Sequence, residues 1–469
     1  MITSSQLIIT YLLLLLGAMF VFIALGHILY QKRSPTSMVA WITSVIFLPF
    51  IAVPFYFLIG ARKERYHKRY VDFHNEMSNQ DYNVTSFEHS IFNLSEKNGI
   101  PSATRHNTFQ LITDDREAYN IMLEEIEKAE KSIDICTYEF QFDESTHVIL
   151  EALVRKAQEG VKVRLLLDTV GSLAVYLNQK NFAELKRYGG EVAFFTSLFK
   201  KPYLNYISLR NHRKIYLFDQ TRVISGGMNL SNAYMGEKST SKSTSNRYKG
   251  LLYLLTGPSV IHFYHIFHSD WCYAVKEEEI CILPTKKEYS GENILQVVPS
   301  GPDIPSDGLY EALLNAFYNA KKRIWMVTPY FIPDENIMQA LIIAHRKGVE
   351  VKLITPKESD HLFVDIVRMP YIRELHDIGV DVILYENRVL HAKAMLIDDD
   401  KSMVGSVNMD NRSLFFNYEV VTFIDSVETQ KHIEIWMESL ICEGTRNIQP
   451  PSRVREGVEN IMKVFAPIL

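Results

Sequence analysis

"NHRKIYLFD", residues 211–219, reads as a buried strand in which His212 and Lys214 form a cationic pair two residues apart. Side chains at i and i+2 share one side of a strand, so these two project together while Ile215 and Leu217 pack behind. Alone, such a pair is an ordinary solvated face. It gains meaning from "LHAKAMLID" (390–398), where His391, Lys393 and Asp398 repeat His212, Lys214 and Asp219. In both copies a Gly follows the His by fourteen positions (Gly226, Gly405), a small residue by fifteen (Gly227, Ser406) and an Asn by seventeen (Asn229, Asn408). One H-x-K-x-x-x-x-D arises by chance; two sharing the same downstream pattern mark an internal repeat.

The repeat extends outward from the motifs. "EKAEKSIDICTYEF" (127–140) gives a helix end and a strand, "STHVILEALVRKAQEG" (145–160) an amphipathic helix, and "VKVRLLLD" (161–168) a buried strand. "NAKKRIWMVTPYF" (319–331), "DENIMQALIIAHRKG" (334–348) and "VEVKLIT" (349–355) follow the same order, down to the Gly that ends each helix. The expected fold is α/β: two repeated domains, each a mixed or parallel sheet covered by helices, packed face to face around a shared central site. The expected boundaries are 1–60 for a membrane segment, 61–108 for a basic and polar linker, 109–295 for the first domain and 296–469 for the second.

Composition narrows the class. The formal charge of −5 divides into +6 for residues 1–70 and −11 for the rest. An acidic body is a poor footprint for nucleic acid, whereas basic residues beside an apolar N-terminus suit anionic lipid head groups. From Leu7 to Tyr30 and again from Met38 to Ile59 no residue is charged, so two transmembrane helices are expected, the second kinked by Pro49 and Pro54. The first run is too long, and lacks the leading Lys or Arg, for a signal peptide. Five basic residues (Arg62, Lys63, Arg65, Lys68, Arg69) follow the second run against two in the connection, which puts the large domains on the cytoplasmic side of a multi-pass cell-membrane protein. The four cysteines (Cys136, Cys272, Cys281, Cys442) form no C-x-x-C pair.

A pocket holding two His, two Lys and two Asn suits a phosphoryl group. Lysine is a point-charge phosphate binder, and the Asn amides add donors where charge develops. One imidazole can attack phosphorus while the other protonates the leaving alkoxide. The lysines act as the cation, so neither a metal nor a cofactor is called for. Gly226, Gly227, Gly405 and Ser406 leave room for an oxygen-rich group to approach the backbone. Asp219 and Asp398 complete the motif; their odd spacing points them away from the pocket, towards backbone at the turn.

The paired motifs resemble the phospholipase D superfamily. With "TPYFIPDE" (328–335), "GSVNMDNRSLFFNYEV" (405–420) and the pattern Arg33, Pro35, Thr36, Ala40, Trp41, the whole chain resembles bacterial cardiolipin synthases. The resemblance implies two phospholipase D-like domains and a membrane enzyme that joins two phosphatidylglycerols into cardiolipin, releasing glycerol through a phosphatidyl-histidine. It implies His212 as nucleophile, His391 as general acid and base, and Lys214, Lys393, Asn229 and Asn408 on the phosphate oxygens. It also implies an acidic residue orienting each histidine: Glu419 fits for His391, but Gly250 stands where the first half should carry Asp, with Glu237 a possible substitute. That leaves open the reverse order, with the His391/Glu419 pair as nucleophile. The rivals are a hydrolytic phospholipase D, a phosphatidyltransferase with another alcohol, a nuclease, and a weakened scaffold.

Overall fold

The computed structural model describes residues 4–30, 35–59, 94, 98–196, 209–236, 247–277, 289–304, 306–463 and 466. The first apolar run forms one helix, α1 (Ser4–Tyr30), in which Thr10–Tyr30 is long and apolar enough to cross a bilayer. The second run, expected as a single span, is broken at Leu48–Pro49 into α2 (Pro35–Phe47) and α3 (Pro49–Ile59). Proline removes a donor and its ring clashes with the preceding turn. At ~1.5 Å per residue neither piece reaches across a hydrocarbon core of ~30 Å. The three helices pack on one another through Ala24, Ile28, Val45 and Tyr56. Arg33, the basic cluster 62–69, Glu237 and Cys281 lie outside the described residues.

In the body, the first half contributes β1 (Thr104–Ile112), β2 (Ser132–Thr137), β3 (Lys162–Leu167), β4 (Glu191–Phe194), β5 (Ile215–Phe218), β6 (Arg222–Gly226) and β7 (Leu252–Thr256). The second contributes β8 (Asn293–Ser300), β9 (Arg323–Val327), β10 (Phe331–Ile332), β11 (Glu350–Pro356), β12 (Asp381–Tyr385), β13 (Ala394–Ile397), β14 (Lys401–Gly405), β15 (Met409–Asp410), β16 (Glu419–Asp425) and β17 (Gly444–Thr445). The two halves share one strand order: β4-β3-β2-β5-β6-β7-β1 and β12-β11-β9-β13-β14-β16-β8. β2, β3 and β4 run parallel, as do β9, β11 and β12, because the helices Glu144–Gln158 and Glu335–Arg346 carry the chain back across the sheet. The motif strands β5 and β13 each turn back antiparallel into β6 and β14 as a hairpin.

The halves do not pack face to face. They join edge to edge: β1 pairs antiparallel with β8, Thr104 opposite Leu295 and Asn107 opposite Asn293, to make one sheet of fifteen strands among the described residues. An unpaired edge leaves a row of N–H and C=O groups unsatisfied, and pairing the two edges satisfies both. β1 therefore begins inside the stretch read as linker, and the 295/296 boundary falls within β8. One face of the sheet is buried in a core that crosses the seam, where Tyr253, Phe263, Leu295, Val297 and Trp325 pack together; the other face has a separate core in each half.

Candidate active site

His212 and His391 stand in the extended residues just before β5 and β13 rather than inside the strands. Each lead-in is held by the opposite half. The His212 N–H donates to Tyr418 O and the Tyr418 N–H to Arg210 O, both at 2.9 Å; the His391 N–H donates to Lys249 O at 2.9 Å and the Lys249 N–H to Val389 O at 2.8 Å. The residue after each bridge, Glu419 or Gly250, thus lies against the other half's motif.

That crossing corrects the expected pairing of Glu419 with His391. Glu419 orients His212: its Oε1 is 3.0 Å from Nδ1. The same carboxylate accepts from Ser406 Oγ at 2.5 Å and from Asn417 Nδ2 at 3.2 Å. Burial pushes the Glu419 carboxyl up to about 7, against the pull of Lys214, Ser406 and Asn417. Burial, followed by the charges of Lys214, Lys393 and Arg412, pushes His212 well below its ordinary value. The ring is therefore neutral at pH 7, and with Nδ1–H given to Glu419 its Nε2 keeps a lone pair.

The missing carboxylate belongs to His391. Its Nδ1 is 3.3 Å from Gly227 O, and Lys393 Nζ is 2.9 Å from Nδ1 and 3.3 Å from Nε2. A Cβ at Gly250 would collide with Met228 Cγ, so the space of the absent acid is filled. Aromatic rings surround this imidazole instead: Tyr234 edge-on at 5.3 Å between ring centres, Tyr248 near-parallel at 5.6 Å, and Tyr330 edge-on at 6.4 Å. Burial, then Lys393, Lys214 and His212, push His391 well below its ordinary value.

The lysines lie beneath the histidines. Lys214 Nζ donates to His212 O at 2.8 Å and Lys393 Nζ to His391 O at 2.7 Å. Burial lowers Lys214 to about 8, and burial with the neighbouring Lys214 charge lowers Lys393 well below its ordinary value. An anion in the cleft would oppose the part of these depressions that comes from neighbouring cations, because it supplies the opposite charge. Both histidines, Asn229 and Asn408 line one cleft of about 480 Å³. Asn408 Oδ1 is buried there without a partner. Among the described residues no group of three or more His, Cys, Asp or Glu is placed to hold a metal.

The reading of the small residues is corrected, while the two motif aspartates lie where their spacing pointed. Gly226 and Gly405 make room for a neighbouring strand, not for an oxygen-rich group: a Cβ at either would collide with Leu251 O or Val420 O, respectively. Gly227 packs against His391 O, and Ser406 serves Glu419. Asp219 and Asp398, the aspartates of the two motifs, stay out of the cleft and take no place beside the catalytic groups. Each sits at a positive φ, 53° and 55°, in the turn after its strand. Asp219 Oδ1 accepts the N–H groups of Glu130, Lys131 and Ser132 at 3.1, 2.6 and 3.1 Å. Asp398 Oδ1 accepts those of Lys321, Lys322 and Arg323 at 2.9, 2.7 and 3.3 Å. Both pin the hairpin turn to the start of the adjacent strand.

Sequence reasoning passes over Arg213. Its guanidinium, fully buried, pairs with Asp270 at 2.8 Å and Asp303 at 2.9 Å and donates to Glu419 O at 3.1 Å, tying the His212 segment to both halves. The readable signal is an extra cation between the motif His and Lys, where the other copy has Ala392. Asp168, just after β3, accepts the Asn211 N–H at 2.9 Å.

Comparison with known proteins agrees with this architecture. The family model described as cardiolipin synthase, PLD-like domain matches residues 122–241 and 313–441, and a phospholipase D-nuclease N-terminal model matches 19–60. The chain is 31% identical to a cardiolipin synthase of Clostridium perfringens, over 94% of this chain and 95% of that one. It is 29% identical to the major cardiolipin synthase of Bacillus subtilis, over 96% and 97%. Among solved structures, a phosphatidylserine synthase from Haemophilus influenzae shares the fold, with a TM-score of 0.59 at 15% identity, covering 81% of this chain and 98% of that one. Two matched domains spanning more than half of the chain, with relatives aligned along nearly all of it, make the protein a member of the cardiolipin synthase family of phospholipase D-like proteins.

Proposed function

We propose that this protein is a phosphatidyltransferase that makes cardiolipin and glycerol from two molecules of phosphatidylglycerol. The observation that carries the reading is that both motif histidines and both asparagines line one cleft, each histidine above its own buried lysine, with His212 and not His391 held by a carboxylate. In the first step His212 Nε2 attacks phosphorus of the donor lipid. The P–N bond forms, the P–O bond to the head-group glycerol breaks, and His391, as imidazolium, gives its proton to the departing oxygen. In the second step neutral His391 takes the proton of a glycerol hydroxyl on another phosphatidylglycerol. That oxygen attacks phosphorus, the P–N bond breaks and His212 is regenerated. Lys214, Lys393, Asn229 and Asn408 face the phosphate oxygens, whose negative charge restores the protonated forms of Lys393 and His391.

Helix α1 anchors the enzyme in the cell membrane, and the pair α2 and α3 enters it as a second, kinked segment. The basic residues 62–69 beside the anchor put the catalytic halves on the cytoplasmic side, against anionic lipid. The test is to reconstitute the full chain in phosphatidylglycerol vesicles and follow products. Cardiolipin with equimolar glycerol supports the reading, phosphatidic acid as the main product replaces it with hydrolysis, and no turnover refutes it.

A further inference from the structure

The two halves repeat in sequence and strand order, yet the two ends of their shared cleft are chemically unlike. The motif offset of 179 residues makes Tyr234 the counterpart of Ser413 and Gly227 that of Ser406. The matching bridges at Lys249 and Tyr418 make Tyr248 the counterpart of Asn417 and Gly250 that of Glu419. Thr137 and Thr328 bond alike to the carbonyls of Glu139 and Tyr330, which makes those two equivalent. Around His212 the opposite half therefore supplies Glu419, Ser406 and Asn417, with Arg210 and Arg412 also lining the cleft. Around His391 it supplies two tyrosines and two glycines. A phosphodiester and its covalent adduct belong at the cationic, hydrogen-bonding end. The other end is aromatic.

Glu139, Asp360 and Asp410 line the cleft, and of these Asp360 is bonded to tyrosines of that end, in a place the two-histidine chemistry does not use. Tyr330 Oη donates to Asp360 Oδ1 at 2.5 Å and Tyr248 Oη donates to Asp360 Oδ2 at 3.4 Å. Both tyrosines flank His391, so Asp360 is tied to the rim of the imidazole's cage, and it lines the cleft with its side chain 20% exposed. Burial, with Asp360 beside it, pushes the Tyr248 hydroxyl up to about 12 and that of Tyr330 well above its ordinary value, so both remain donors. Each carboxylate oxygen accepts one phenol and retains acceptor capacity towards the cleft.

We propose that the His391 end of the cleft is the acceptor subsite, and that Asp360, clamped by Tyr248 and Tyr330, selects a polyol by accepting hydrogen bonds from its vicinal hydroxyls. This rests on the phosphatidyltransferase reading and adds to it where the acceptor binds and what recognises it. A diol presents two donors to one carboxylate, while water or a mono-alcohol satisfies it only in part. Its negative charge also repels the acceptor's own phosphate, which turns the hydroxyl end of the acceptor towards His391. The tyrosine cage excludes loosely held water, favouring transfer over hydrolysis.

The experiment uses the full chain in phosphatidylglycerol vesicles with 1,2-propanediol or 1-propanol as competing soluble acceptors, alcohols that differ by one vicinal hydroxyl. Wild-type protein is expected to prefer the diol. Asp360→Ala should cut that preference, read as the ratio of the two transfer products, by about 10- to 100-fold, the worth of hydrogen bonds to a charged group. Tyr330→Phe, which unpins the carboxylate but keeps it, should give an intermediate loss. Unchanged diol preference in Asp360→Ala overturns the proposal, as does an equal fall with both alcohols. Glycerol release with unaltered preference sinks the subsite alone, whereas no glycerol release by wild type sinks the transferase reading and the subsite with it.

Discussion

Replacing Glu419 by Gln keeps shape and volume and removes one charge. The carboxylate is fully buried and accepts from His212 Nδ1, Ser406 Oγ and Asn417 Nδ2. An amide has only one acceptor oxygen, so at least one of these donors would face an N–H group, at ~1–3 kcal/mol for each buried group left unsatisfied. The larger effect is on His212, whose Nδ1–H loses its anionic acceptor, so the tautomer with Nε2 free is no longer enforced. Neutralising the equivalent carboxylate in a Ser-His-Asp triad costs about 10⁴-fold in rate. A loss of about 10³- to 10⁴-fold, or ~4–5.5 kcal/mol, is therefore expected here. The assay is glycerol release from phosphatidylglycerol vesicles as a function of pH. The Glu419 carboxyl, pushed up to about 7, offers Nδ1–H an anionic acceptor only when ionised, so wild-type kcat/KM should fall as pH drops through about 7. In Glu419→Gln that limb should vanish along with the rate. A folded variant that loses less than tenfold, or that keeps the acid limb, would refute the orienting role.

Gly250→Asp alone should destabilise the protein, by about 1–3 kcal/mol for overpacking against Met228. Adding Met228→Val, which copies Val407 beside Glu419, should restore much of the loss; a melting temperature unchanged by the single substitution would contradict the packing. Asp398→Ala strips one carboxylate from three backbone N–H groups and should cost about 2–3 kcal/mol in a denaturant melt. The kcat of its folded fraction should stay within about threefold, and a hundredfold fall would return Asp398 to the chemistry.

The repeat was readable because its signal is local: His212-x-Lys214 and His391-x-Lys393 with matching Gly and Asn positions need no tertiary knowledge. The structural duty of Asp219 and Asp398 was readable from spacing too. The partner of Glu419 was not, since it depends on bridges between Asn211 and Tyr418 and between Lys249 and Leu390 that cross from one half to the other. A residue assigned to the motif of its own half then lands on the wrong histidine. The glycines misled for a similar reason. A small residue near a motif signals close approach, but the strand order decides that β7 and β16, not a ligand, are what approach Gly226 and Gly405. In the membrane segment, absence of charge was visible, while the break at Pro49 turned one expected span into two short helices.

The division of labour between the two imidazoles is tested most directly by locating phosphorus in the covalent adduct. His391→Ala, lacking the group that activates the second alcohol, is incubated with phosphorus-labelled phosphatidylglycerol, quenched and digested. Label on the peptide carrying His212, together with none in a His212→Ala protein that retains His391, is the expected result. Label on His391 in the His212→Ala protein, with His212 unmodified in its counterpart, would reverse the roles derived from the Glu419 contact.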